Sequence, residues 1–175
     1  MNSRILAIAS AILIAATLRL VPHPPNFTPI GAIALFSGAM FGRRLLAFAA
    51  PLAAMLLSDA IIGFHSAMPV VYAAIALITL IGWALEGRRS IVGVGLASLS
   101  ASMLFFLVTN LGVWATSGMY PISASGLAAC FAAAMPFFQN SVAGDLFYSA
   151  LLFGGFALIE QAVPALRVTG EPKAA

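Results

Sequence analysis

Arg19, Asp59, Asn110 and Asp145 are the residues of this chain best placed to do chemistry. Each stands near the same end of a long apolar run, so four helices bring a charge or an amide to one depth. Ionisable groups within apolar helices are costly unless paired, so they face an interior and mark a pathway or a site. Arg19 is the lone cation at that end, and Asp59 and Asp145 are its two anions. One guanidinium fork holds one carboxylate bidentately, which leaves the other for a substrate amine, a hydroxyl, a metal or a proton. The alternative is a closed ionic clamp of all three that binds nothing.

Other candidates gather around these four. Asp145, Tyr148 and Ser149 share a helix face at spacings of three and four, as do Asn110 and Trp114, and such faces supply hydrogen bonds and an aromatic wall. The stretch Arg19 to Pro29 carries His23, Asn26, Thr28 and four prolines in eleven positions. Proline donates no backbone hydrogen bond and pushes its neighbours toward extended geometry, so this segment leaves the helix as a stiff loop, a lid or wall. His65 lies in a second loop and Asn140 in a third polar stretch. The two histidines, with Asp59 and Met68 near in sequence, match no metal-ligand spacing, and the metal remains unknown. Tyr72, Trp114 and Tyr120 read alternatively as aromatic-belt residues, Tyr120 above all.

The elements that must position these groups follow from composition. The 175 residues are 62% hydrophobic and 7% charged, with mean hydropathy +1.07. That is an integral membrane protein, and apolar runs of about 16 to 24 residues without period-2 alternation make it all-α. Six transmembrane helices are expected in one compact bundle and a single domain, 1–175, with spans at about 4–21, 29–42, 45–62, 69–86, 91–115 and 141–163 and a polar tail at 167–175. Thr28 and Pro29 read as cap and first position of the second helix. The Ala-rich piece from Gly126 to Met135 is too short for a span and is expected as an interfacial or re-entrant helix between spans five and six.

Six spans put both termini on one side, and seven of the eight Lys and Arg residues fall there: Arg4, Arg43, Arg44, Arg88, Arg89, Arg167 and Lys173. The positive-inside rule then makes the termini cytoplasmic. Glu86 is expected to pair with Arg88 or Arg89, and Glu160 to be structural. The basic pairs between apolar runs encode topology, so no nucleic-acid partner is expected. Cys130 is the single cysteine, which excludes an intramolecular disulfide. An apolar N-terminal stretch ending in Ala15-Ala16-Thr17 resembles a weak signal peptide, the lesser reading. No nucleotide, hydrolase or zinc-protease motif is present, no cofactor is implied, and transport energy would come from a gradient or a partner. Ala7, Ala11 and Ala15, at spacing four, form a small-residue face suited equally to a neighbour within the bundle or to an external helix.

Several short motifs together carry a resemblance: Pro-Asn-Phe-Thr-Pro at Pro25–Pro29, Leu-Ser-Asp at Leu57–Asp59, and Thr-Asn-x-Gly-Val-Trp at Thr109–Trp114. Met-Tyr-Pro at Met119–Pro121, and Pro-Phe-Phe-x-Asn with Gly-Asp at Pro136–Asn140 and Gly144–Asp145, complete the set. The chain resembles an uncharacterised group of small bacterial membrane proteins, over nearly its whole length. That group is similar to the substrate-binding S-components of energy-coupling factor (ECF) transporters, six-helix proteins that capture vitamins or metal ions from outside. The resemblance implies a site under the outer loops, a transmembrane coupling subunit docked on Ala7, Ala11 and Ala15, and ATPase subunits.

The expectation is therefore a non-enzymatic transport protein in the lipid bilayer, binding a small polar solute, vitamin-like or a metal ion, for uptake. Arg19 and Asn26 would orient an anionic or carbonyl group, Asp59 and Asp145 would take a cation or donors, and Asn110, Trp114 and Tyr148 would complete the pocket. Two other classes stand beside it: a membrane-embedded enzyme acting on a lipid or isoprenoid through an Asp and His23 or His65, and a structural subunit whose polar cluster only joins helices.

Overall fold

The computed structural model describes residues 3–42 and 44–167; Arg43 and Lys173, both part of the charge pattern, lie outside them. All regular structure among the described residues is helical. Helix α1 (Ser3–Thr17) tightens into a 3-10 turn, Leu18–Leu20, and the chain turns extended at Val21, where the proline-rich stretch begins. Then come α2 (Ile30–Phe41), α3 (Leu45–Ile62), α4 (Met68–Trp83) and α5 (Ile91–Thr116). Two serines cap helix starts: Ser90 accepts from the Gly93 N–H of α5, and Ser123 from the Gly126 N–H of the helix that follows. That helix, α6 (Ala124–Ser149), passes through a π-helical turn (Ala150–Gly154) into α7 (Gly155–Ala162).

Residues 124–162 thus make one continuous 39-residue helix. This corrects the expectation of a separate interfacial helix followed by a break at Pro136 to Asn140. A proline removes one intrahelical donor, and one lost bond does not end a helix that packing holds on both sides. Phe106 of α5 supplies that packing, meeting Phe131 before Pro136 at 5.3 Å and Phe138 after it at 4.7 Å.

Helix α2 sits at the centre, against α1, α3, α4, α5 and α6. Its sequence is apolar on every side, as a helix without a solvent face must be, and Gly31 to Ala39 are all buried. Twelve residues make it only about 18 Å long. Helix α4 crosses it backbone to backbone: a Cβ on Gly38 would stand 2.2 Å from the Thr79 carbonyl oxygen, and one on Gly82 2.4 Å from that of Leu35. Beyond this crossing, Phe36 meets Phe153 and Phe156 edge-on at 5.3 and 5.6 Å.

The exterior is apolar and part of the interior is polar. Ile14 and Ile61 are 66% and 70% exposed, whereas Asp59, Thr79, Ser98 and Ser102 are wholly buried. Four helical segments are long and apolar enough to cross a membrane: Ser3–Leu20, Leu45–Ile62, Ile91–Thr116 and Ala124–Ala162. Helices α2 and α4 are apolar but shorter. At the end holding the start of α1 and the close of α7, Glu160 receives both Arg4 and, at 3.4 Å, Arg89, so three segments are tied together there.

Candidate functional site

At the opposite end of α1 the helix delivers Arg19 to α3. Its guanidinium bonds the Ser58 hydroxyl and the Asp59 carboxylate, the latter at 2.5 Å. The other Asp59 oxygen accepts from the Tyr72 hydroxyl at 2.7 Å, so α1, α3 and α4 meet on one wholly buried carboxylate. The sequence alone leaves Tyr72 as a belt candidate; the structure makes it an inward hydrogen-bond donor.

Asp145 does not join this pair. It stands on α6, accepts from the Ser102 hydroxyl of α5 at 2.6 Å, and accepts from the Ala32 backbone N–H at the start of α2. The first N–H groups of a helix have no intrahelical partner, and a carboxylate is their favourable complement. The α2 cap therefore comes from α6 rather than from Thr28: the N-cap position is Pro29, which offers no side-chain bond. Gly31 makes the approach possible, since a Cβ there would lie 2.2 Å from Asp145 Oδ1.

The proline loop is fastened to the same stretch of α6. Asn140 donates its amide to the Pro25 carbonyl at 2.9 Å, and Phe27 packs on Phe147 and Tyr148 at 5.9 and 5.6 Å. Gly144 lets the loop backbone cross close by, its would-be Cβ 3.2 Å from the Thr28 nitrogen. Asn26 takes the left-handed conformation (φ 62°), which asparagine tolerates better than most residues. Two of the sequence motifs, Pro25–Pro29 and Asn140 with Gly144–Asp145, are thus complementary halves of one contact.

Between loop, α1, α3 and α6 lies a cleft of about 570 Å³. Its polar lining is Arg19, His23, Asn26, Thr28, His65, Ser141 and Asp145. Asp59 stands behind Arg19, and Asn140 and Tyr148 hold the loop that walls the cleft. Asn110 and Trp114 are elsewhere, near the α5–α6 turn: the Asn110 amide bonds the Phe106 carbonyl of its own helix, and the Trp114 indole N–H donates to the Pro121 carbonyl at 3.0 Å. Their proposed place in the pocket is corrected accordingly, because α5 carries them two to three turns beyond Ser102. Ser102, Ser141, Gly31 and Phe105 escape sequence reasoning. For Ser102 a signal exists, its spacing of four from Ser98, which puts two small hydroxyls on one face of α5.

Ala15 is buried and Ala7 and Ala11 pack against the core, so the small-residue face of α1 is turned into this chain's own bundle. No three His, Cys, Asp or Glu side chains among the described residues converge as metal ligands.

Fold and cleft together define an all-helical bundle with an apolar surface and a polar cleft at one end. The chain belongs to the DUF6580 family, a family of unknown function, whose profile matches residues 1–166. No curated protein and no solved structure matches the chain.

Proposed function

We propose that this protein is a multi-pass protein of the bacterial inner membrane that binds a small polar solute in the cleft for uptake, with the cleft facing outward and the Arg-rich end in the cytoplasm. The observation that carries the reading is the cleft itself. Its volume of about 570 Å³ falls in the range of small-molecule sites, and the 3-10 turn that ends α1, the proline loop, the α3–α4 loop and α6 each contribute a polar side chain to it. The apolar exterior supports a bilayer setting, since Ile14 and Ile61 would be costly in water and natural in lipid. The described arginines support the orientation: Arg4 and Arg89 gather on Glu160 at one end and Arg19 stands at the other.

The likeness to ECF S-components rests on the helical bundle and on a site beneath the loops joining helices one to two and three to four. Docking of a coupling subunit on α1 has no separate support, since Ala15 is buried and Ala7 and Ala11 pack partly against this chain's own core. Among solutes, a vitamin-like organic compound fits better than a metal ion, for want of a convergent ligand set among the described residues. Native mass spectrometry of protein extracted gently from its host membrane tests the reading. A small molecule retained in stoichiometric amount is expected; a bare chain, together with unchanged depletion of medium solutes by cells lacking the gene, would contradict it.

A further inference from the structure

Building on the reading of the cleft as a solute site, we infer that its ligand is an amphipathic organic cation, an ammonium or protonated nitrogen base on an apolar body, with the positive group seated against Asp145.

The charges around the cleft lead there. Arg19 contributes a cation to the lining, but Asp59 already matches it at 2.5 Å and Ser58 takes a further bond. Asp145 takes part in none of the ion pairs among the described residues. Its partners, the Ser102 hydroxyl and the Ala32 N–H, are neutral donors. An ionised carboxylate has about four acceptor positions, so two such bonds leave room for more. The cleft thus ends on a carboxyl group whose partners carry no charge.

An anionic solute meets the reverse situation. The usual anion receptor in such a place is the start of a helix, with its free N–H groups and positive dipole end. Here the start of α2 is already occupied by the Asp145 carboxylate, and Gly31 is the residue that lets it in. A carboxylate or phosphate would face Asp145 with no unmatched cation in the lining to hold it.

The other walls specify the rest of the ligand. Leu20, Ile30, Ile61, Ile62, Val71 and Phe105 give an apolar side that suits a ring or short hydrocarbon body. At the polar wall His23 directs Nδ1 to the Pro24 carbonyl at 3.0 Å, which makes that nitrogen the donor and leaves Nε2 an acceptor in the neutral ring. Ser141 donates to the Phe137 carbonyl at 3.2 Å, so its remaining capacity is also to accept. Acceptors facing the cleft call for a ligand rich in donors.

The test uses the full chain in lipid nanodiscs and three probes of nearly one shape: 2-phenylethylammonium, 2-phenylethanol and 3-phenylpropionate. Equilibrium binding should rank the ammonium about tenfold tighter than the alcohol, the difference between a charge-assisted and a neutral hydrogen bond, with the carboxylate weakest. Asp145→Asn should bring the ammonium down to the level of the alcohol. Should that variant fail to fold, the ranking on the wild-type chain decides alone. Equal binding of the three, preference for the carboxylate, ammonium binding unchanged in Asp145→Asn, or binding of none would each overturn the inference. A solute retained in native mass spectrometry would be untouched by those results, so the cleft reading stands or falls separately.

Discussion

Asp59 and Asp145 are both buried, both on apolar helices and both beside the same cleft, yet their surroundings are opposite. Asp59 is enclosed by an arginine and a tyrosine drawn from two other helices, and none of it is exposed. Asp145 keeps 6% exposure, is held by neutral donors, and lines the cleft. A closed pair of the first kind fixes helices against one another, and its loss strands a charge. A carboxyl of the second kind is held in place without a charged partner, which is what an anchor for a cationic ligand requires. The difference arises from the backbone: α1 brings a side-chain cation to α3, whereas α2 brings only its own N–H groups to α6.

The largest effect that can break this comparison is expected at the closed pair. Asp59→Ala leaves the half-buried Arg19 without its carboxylate partner, and breaking one side of a buried ion pair costs about 3–5 kcal/mol. Thermal unfolding in nanodiscs should show it, and Arg19→Met together with Asp59→Leu should recover most of the loss. A single variant as stable as wild type would remove the structural role. Gly31→Ala comes next, since the new methyl cannot coexist with Asp145 where it stands. Overpacking of this kind costs about 1–3 kcal/mol, and solute retention should fall with it because the carboxylate must move.

Asn140→Ala removes one hydrogen bond from loop to α6 and should cost about 1 kcal/mol. Faster hydrogen exchange at Asn26 and Phe27 would register the loosened loop. Least of all, Asn110→Ala should leave solute retention unchanged, since its amide serves its own helix. A clear loss of retention there would extend the site to the α5–α6 turn.

Much of this arrangement was legible in the chain, and the parts that were not share a cause. The third apolar run, 45–62, coincides with helix α3, Leu45–Ile62, because Arg44 and Gly63 punctuate it locally. Arg19 with Asp59 was legible as one of two possible pairings, since a lone cation among apolar residues must find an anion. The α2 cap was not: Asp145 lies far from Ile30 in sequence, and local signals favoured Thr28 and Pro29. Continuity of 124–162 was hidden for the same reason, since Pro136 is a local break signal and the Phe106 contacts that override it come from another helix. Ala7, Ala11 and Ala15 predict close helix packing, and it is the position of α2 and α3 that turns that face inward. Asn110 and Trp114 share a depth with the cleft only if all helices end together, and α5 at 26 residues outruns α2 at 12.

The most direct measurement is a paired one on Asp145→Asn: its melting temperature in nanodiscs, and the small molecule it retains in native mass spectrometry. The amide oxygen can still accept from the Ala32 N–H, and its NH2 can donate to the Ser102 hydroxyl, which turns its own proton to the Ser98 carbonyl, so folding should stay near wild type while the retained solute is lost. Destabilisation as large as that of Asp59→Ala, or a solute retained undiminished, would contradict the division of labour between the two aspartates.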